Sequence, residues 1–516
     1  MRSRFRGAAR SFMSASAALA LAACAALGPD FRPPAPPASA DYGLKTRPAE
    51  AAQSAVYGAE VADDWYRLFR SEALNGLVRE ALADNPDLEA ARHGLLAAQD
   101  ELRAVSGARL PELDAGAKMS RAHINGSFLY EPVGALNVTG NQLNVGLNLA
   151  YNLDVFGGVR RSIESQASAA ASARDQALNT YVTMVDRVVV TAFDYAASEA
   201  DIEVARALVD DFQAQLDLTQ KLEAAGKIAR RDTLQAQAQW ESAHASLPQL
   251  ERQRDAYRNA LAQLVGQTPD QFAAPALTLK DFTLPAELPV SLPSALVRQR
   301  PDILAAEDNL HQASAQIGVA VAARFPSLTL SAQYAQEASR LNDLFTRPGG
   351  IWSLGLDVTG PLLNGGTRAA RADEAKERYR QAQAIYRGTV ILAFVEVADA
   401  LQALQRDAEG YAAYTRALEA AGANRDLAAA QFRAGKINRL QVLAAEAQYQ
   451  NAALTRVQAD AQRFTDTATL FRALGGGWWN APRDPSWLPT AAADSEPAKA
   501  PEASGPAATS QENSHE

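Results

Sequence analysis

The chain has one cysteine in 516 residues, Cys24, which excludes a disulfide framework and a thiolate metal cluster. Its five histidines, His93, His123, His244, His311 and His515, fall at no metal-ligand spacing and read as ordinary surface or satisfied core side chains. A basic excess is also missing. The formal net charge is −9, which argues against nucleic acid, since such a partner needs a basic face. No nucleophile–base pair, phosphate-cradling glycine loop or metal cluster stands out, so neither catalysis nor a bound cofactor is expected. The apolar run at the N-terminus, Phe12–Ala23, is too short to span a bilayer as a helix. What remains is a folded chain, 47% hydrophobic and 21% charged, whose signals lie in patterning rather than in reactive side chains.

The N-terminus gives the lone cysteine a use. Arg2, Arg4, Arg6 and Arg10 precede the Ala-rich run, which ends Leu21-Ala22-Ala23-Cys24. This has the form of a lipoprotein signal: residues 1–23 are removed, Cys24 takes a diacylglycerol on sulfur, and its freed amine takes an acyl (palmitoyl) chain. Ala25 rather than Asp follows it, which favours the outer membrane. The Pro- and Ala-rich segment 24–60 reads as an extended, lipid-anchored tether.

The strongest pattern is Leu143–Arg160. From Leu143 to Val155 the odd positions are Leu, Val, Leu, Leu, Tyr, Leu and Val, against Asn144, Gly146, Asn148, Ala150, Asn152 and Asp154. Thirteen residues of period two exceed the usual soluble strand of about 5–6 and suit a tilted membrane strand of roughly 9–11. Trp352–Arg368 repeats it, with Trp352, Leu354, Leu356 and Val358 alternating against Ser353, Gly355, Asp357 and Thr359. Gly365-Gly366 and Arg368 repeat Gly157-Gly158 and Arg160 at a spacing of 208, and each glycine pair marks a strand-to-helix junction. Shorter alternations precede both, at Leu113–Met119 and Leu328–Tyr334, with polar loops Ala122–Asn141 and Gln336–Gly349 as hairpin tips.

The duplication extends over most of the chain. Asn85-Pro86-Asp87 matches Arg300-Pro301-Asp302, and Arg109, Pro111 and Leu113 match Arg324, Pro326 and Leu328, all 215 apart. Ala225-Gly226-Lys227-Ile228 matches Ala434-Gly435-Lys436-Ile437 at 209. Each copy (61–266 and 294–475, joined by a Pro-containing linker, 267–293) reads helix, strand, strand, long helix, return helix. The first helices are expected over about Leu68–Gly107 and Asp302–Ala323. The long ones run Arg160–Ala225 and Arg368–Ala434, about 100 Å each, which implies an extended antiparallel coiled coil. The C-terminal extension, 476–516, carries Trp478, Trp479 and Trp487 and reads as disordered from about Ala491.

Four membrane-length strands cannot close a barrel, and an open edge in lipid leaves backbone groups unsatisfied at several kcal/mol each. Two chains give eight strands and a filled lumen; three give twelve and a pore. The polar faces suit a wet lumen, so the fold expected is mixed α and transmembrane β: a trimeric twelve-stranded barrel continuous with a long α-helical tunnel.

These features together resemble the outer-membrane efflux duct family, the TolC-like proteins, and within it the lipidated OprM/NodT-type branch. The carriers are Cys24 with Gly28-Pro29-Asp30-Phe31, Asp64-Trp65, Asn85-Pro86-Asp87, Arg300-Pro301-Asp302, the two glycine-pair junctions and the two Gly-Lys-Ile tips. The resemblance implies a homotrimeric exit duct of a tripartite pump, in the outer membrane of a Gram-negative bacterium. Its partners would be a periplasmic adaptor (membrane-fusion) protein and an inner-membrane pump of the RND type. It further implies that the adaptor docks on Gly226, Lys227, Ile228, Gly435, Lys436 and Ile437. Asp232 and Gln441 would lie at the periplasmic constriction; Gln441 stands where some relatives carry an acidic gate residue. A duct for type I protein secretion and a pore-less lipid-anchored coiled coil remain as rival readings.

Overall fold

The computed structural model describes residues 26–36, 42, 53–125, 137–346 and 349–481. Cys24, the signal segment, Trp487 and the tail beyond it lie outside the described residues. The chain runs β1 (Ser54–Tyr57), a 3-10 turn (Trp65–Phe69), α1 (Glu72–Asp84), α2 (Pro86–Gly107), β2 (Glu112–Asn125), β3 (Asn137–Leu153), α3 (Gly158–Ala224) and α4 (Arg230–Leu264). It continues β4 (Glu287–Val290), α5 (Pro293–Gln299), α6 (Pro301–Ala322), β5 (Ser327–Ala338), β6 (Gly350–Thr359), α7 (Thr367–Arg433) and α8 (Arg439–Ala473).

The expected helix over Leu68–Gly107 is three pieces. Arg70 turns left-handed at φ +57°, and the Ser71 hydroxyl caps α1 by accepting from the Leu74 N–H. Pro86 then holds Asn85 extended, so α1 stops and α2 begins afresh. The strands are longer than their apolar stretches, with β2 reaching Asn125 and β3 starting at Asn137. A ladder satisfies its own backbone whatever the side chains, so it outruns the apolar band. Only 126–136 of the expected tip lies beyond it, outside the described residues.

β2, β3, β5 and β6 form one antiparallel sheet in that order, and β1 pairs parallel with β4. The register aligns the apolar positions across all four strands. Leu113 faces Leu149, Leu149 faces Ala332, and Ala332 faces Leu354; likewise Leu147 faces Tyr334, which faces Trp352. The opposite face carries Asp114, Asn148, Gln333 and Ser353 on one row and Lys118, Asn144 and Glu337 on another.

Under the sheet, α6 packs between α3 and α7, while α2 packs on α3; α3 pairs with α4, α7 with α8, and α8 also lies along α3. α3 and α7 have 67 residues each, about 100 Å. The main core sits at the waist, near the middle of α3. Phe193 lies 4.8 Å from both Phe69 and Phe282 and 5.3 Å from Phe464 between ring centroids, and Trp65 stacks on Phe471 at 5.1 Å. The segment between the repeats contributes Phe272, Leu277 and Phe282 to this core, so it is packed structure rather than a loose connection. Trp478 and Trp479 also belong to the body: the Trp478 indole donates to the Gln299 carbonyl, and Trp479 packs on the core.

The structure places the repeats 209 apart through the whole second half. The residue that caps each long helix is Gly157 (φ +76°) or Gly366 (φ +82°). Gly158 is therefore the counterpart of Thr367, and Gly365 (φ +57°) is the counterpart of Phe156. The spacing of 208 that aligns the two glycine pairs is out of step by one, because the conformation needed at the cap, not the glycine count, defines equivalence.

Candidate functional site

Among the described residues no helix is long and apolar enough to cross a membrane. The apolar surface suited to lipid is on the sheet instead. Met119 and Trp352 are each 75% exposed, and Leu113, Leu354, Leu356 and Val358 are exposed beside them. So large a contiguous apolar patch is foreign to a soluble surface. The reverse face is wet: Asn144 donates to Glu337 at 2.8 Å, and the Ser331 hydroxyl donates to Asp357 at 2.8 Å. Gly146 sits where any Cβ would strike the Tyr334 carbonyl at 2.7 Å, so glycine there lets neighbouring strands close up.

The tether is clamped where strands become helices. The Arg161 guanidinium donates to the Leu27 carbonyl at 3.1 Å and to Asp30 at 2.7 Å. Glu164 accepts from Arg161 and pairs with His311 at 2.9 Å, and the His311 ring stacks on Phe31 at 4.4 Å. Gly28 (φ +104°) lies on Gly318, where a Cβ on either would collide. The Glu164 carboxyl is held below its ordinary value: burial pushes it up, and the His311 and Arg161 partners outweigh that. His311 thus has a definite role that its spacing in the sequence did not signal. Of segment 24–60, the stretch from Ala26 to Phe31 lies against the body at this junction.

The two tips, some 100 Å below, are closed by the same geometry. Gly226 (φ +66°) and Gly435 (φ +68°) turn the chain, and the N–H groups of Lys227 and Lys436 reach back to the carbonyls of Leu222 and Gln431 at 2.9 Å. These bonds satisfy helix-end carbonyls. Lys227 and Lys436 are exposed and Ile228 and Ile437 half-buried. Asp232 lies in the first turn of α4, paired with Arg231 on an exposed surface. At its counterpart in α8, the Gln441 N–H donates to Asn438, which caps that helix. The positions expected to act together are thus at equivalent places at one end of the molecule, while Gly157, Gly158, Gly365 and Gly366 are at the other.

Between these ends, three aspartates of α3 meet α8. Asp186 pairs with Arg472 at 3.4 Å, Asp201 is near Gln458, and Asp211 is near Glu446 and Arg439. Each leaves one carboxylate oxygen buried without a hydrogen-bond partner among the described residues. Burial pushes all three carboxyls up to about 6. Nothing in the sequence distinguishes them from other helix-surface aspartates. For Asp201 the folded value lies above the ordinary carboxylate value near 4. The stability it contributes is therefore full below about pH 4 and is lost as pH rises through about 6. Asp201→Asn keeps the shape without the charge. It is expected to raise stability at pH 7.5 by about 1 kcal/mol after solvent screening, and by about half as much at pH 5, midway through the window. Thermal unfolding at both pH values checks this; equal shifts at the two would exclude titration of Asp201 as the cause.

A sheet with one lipid-suited face and one wet face, continuous with helical hairpins of about 100 Å, defines a membrane duct. The chain belongs to the family described as outer membrane efflux protein, matched over residues 77–267 and 292–476. It is 27% identical over 461 residues to the cation efflux system protein CusC of Escherichia coli (strain K12), covering 89% of this chain and 98% of that protein. It is 25% identical over 466 residues to the probable outer membrane lipoprotein SilC of Salmonella typhimurium, covering 90% and 98%. Among solved structures, the outer-membrane channel OprN superposes with a TM-score of 0.77 at 28% identity, over 88% of this chain and 99% of that one. The protein is an outer-membrane efflux channel.

Proposed function

We propose that three copies close a twelve-stranded barrel on a helical tunnel, and that the assembly is the passive exit duct of a tripartite pump for small molecules. The observation that carries this is the sheet: an apolar face in register over four strands, ending in two unpaired edges, β2 and β6. Unpaired edges in lipid leave backbone groups unsatisfied at several kcal/mol each, so the edges must close on other copies. Three copies leave a water-filled lumen, whereas two would fill it with side chains. At the far end a periplasmic adaptor docks on the tips formed by Gly226, Lys227, Ile228, Gly435, Lys436 and Ile437, with an RND-type inner-membrane pump supplying the energy. Asp232 and Gln441 line the constriction beside those tips. Asp232 is the sole carboxylate of that pair, so the ring of charge there is half of what two acidic positions would give.

The test is the protein mass of the detergent-extracted particle, by light scattering with the detergent contribution subtracted. Three chains are expected; one chain would remove the barrel and the duct with it. Cys24 carries the lipid in this reading. Cys24→Ala is expected to abolish acylation, seen by mass spectrometry, while the protein still fractionates with the outer membrane, because the barrel itself is held there. A fully soluble Cys24→Ala protein would contradict the barrel.

A further inference from the structure

The unpaired edges of the sheet have a template inside the chain. β2 and β5 are equivalent 215 apart, and β3 and β6 are equivalent 209 apart. The ladders agree with this: Leu113 faces Leu149, and Leu328 faces Val358. The second half of the first repeat, β3 and α3, meets the first half of the second repeat, β5 and α6. The second half of the second repeat, β6 and α7, has no such neighbour beyond it. Nor does the first half of the first repeat, β2 and α2.

We infer that β6 and α7 of one copy meet β2 and α2 of the next in the register of the chain's own β3–β5 seam, placing Asp357 opposite Lys118 of the next copy. This rests on the trimer proposed above. Within the chain Asn148 faces Gln333 and Leu149 faces Ala332. Advancing the first of each pair by 209 and stepping the second back by 215 gives Asp357 against Lys118 and Val358 against Ala117. The same step gives Leu356 against Met119 and Thr359 against Gly116.

Three features that took no part in the transposition agree with it. The apolar residues meet apolar residues on the lipid side, which a one-residue slip would undo. Lys118 has no hydrogen bond or ion pair among the described residues, and this register sets a carboxylate directly across from it, where Cβ atoms are about 5 Å apart. A slip of two in either direction would leave Asp357 facing Gly116 or Ser120 and Lys118 facing Gly355 or Thr359. Finally, Leu362 and Leu363 are 98% and 99% exposed just past β6. Leu362 is the counterpart of Leu153, which faces Leu328 in the chain, so it comes to Leu113 of the next copy, itself exposed. On the helices, Ser172 donates to the Ala305 carbonyl, and the same step sets Gln381 against Ala90 of the next copy.

The test uses the full-length protein in detergent, with cysteine pairs oxidised and resolved on a denaturing gel. Ala117→Cys with Val358→Cys is expected to give covalent oligomers. Ala115→Cys or Met119→Cys with Val358→Cys should give less by about fivefold or more, since the extra two residues exceed disulfide reach. Leu149→Cys with Ala332→Cys should cross-link within a chain and leave its mass unchanged. Stronger coupling through Ala115 or Met119 in a three-chain particle would overturn the register and keep the trimer. A single-chain particle would overturn the trimer itself. Charge gives a second readout. Lys118→Asp and Asp357→Lys alone should each lower the temperature at which the oligomer dissociates, and the double variant should recover most of that loss. A double variant no better than the singles would overturn the pairing.

Discussion

Gly435→Pro at the second helix tip is expected to abolish export while leaving three-chain particles in the outer membrane. Gly435 holds φ +68°, and its N–H donates to the Phe432 carbonyl at 2.9 Å. Proline fixes φ near −65° and has no N–H, so the turn cannot keep its shape, at a local penalty of roughly 3 kcal/mol or more. The damage stays local because nothing lies within 4 Å of where a Cβ would point at this glycine. The waist core, which includes Phe193, Phe464 and Phe471, is about 40–60 Å away along the helices at 1.5 Å per residue. A lysine in place of the half-buried Ile437 should act in the same direction. The measurement is drug or dye export by cells carrying the variant, with particle mass taken in parallel. Normal export would remove the tip from the docking surface. Loss of the particle would make Gly435 a residue of assembly.

Arg300→Ala is expected to destabilise the folded chain by about 3–5 kcal/mol, because it strips a buried cation from groups that stay behind. Only 7% of the Arg300 side chain is exposed. It donates to Asp302 at 2.6 Å, to Glu396 at 2.8 Å and to the Ala473 carbonyl at 3.0 Å, tying the start of α6 to α7 and to the end of α8. The first repeat makes the same tie without charge. The Asn85 amide donates to the Leu264 carbonyl at 2.7 Å while its oxygen caps α2. Asn85→Ala should therefore lose less, about 1–2 kcal/mol. Loss of helical circular dichroism on heating measures both. A midpoint for Arg300→Ala at or above that of Asn85→Ala would show that the charged knot is not what holds the second repeat.

The pairing of Asn85 with Arg300 shows what is legible in a sequence like this and what is not. Their alignment at 215 is plain, and the Pro that follows each marks a helix start. That both reach the last turn of a return helix 170 residues or more away is not, because such a bond depends on how the repeats fold over one another. His311 is similar: five scattered histidines suggest nothing, yet one becomes the bed for Phe31 once α3 and α6 are side by side. Asp186, Asp201 and Asp211 look like solvated charges until α8 is laid along α3. The glycine pairs misled in the other direction. Identity aligned them at 208, and only backbone conformation showed that the cap glycines are 209 apart.

By itself the sequence determined the elements, their duplication and the two faces of the sheet. Those follow from side-chain period, proline and glycine, which act over a few residues at a time. It also carried the family likeness through the order of short motifs. The tertiary structure decided the register of the four strands, the seating of the tether on Arg161 and His311, the packing of the inter-repeat segment at the waist, and the burial of the seam aspartates. Each of these needs two distant segments brought into contact, and the contact selects one arrangement among many that the local pattern allows.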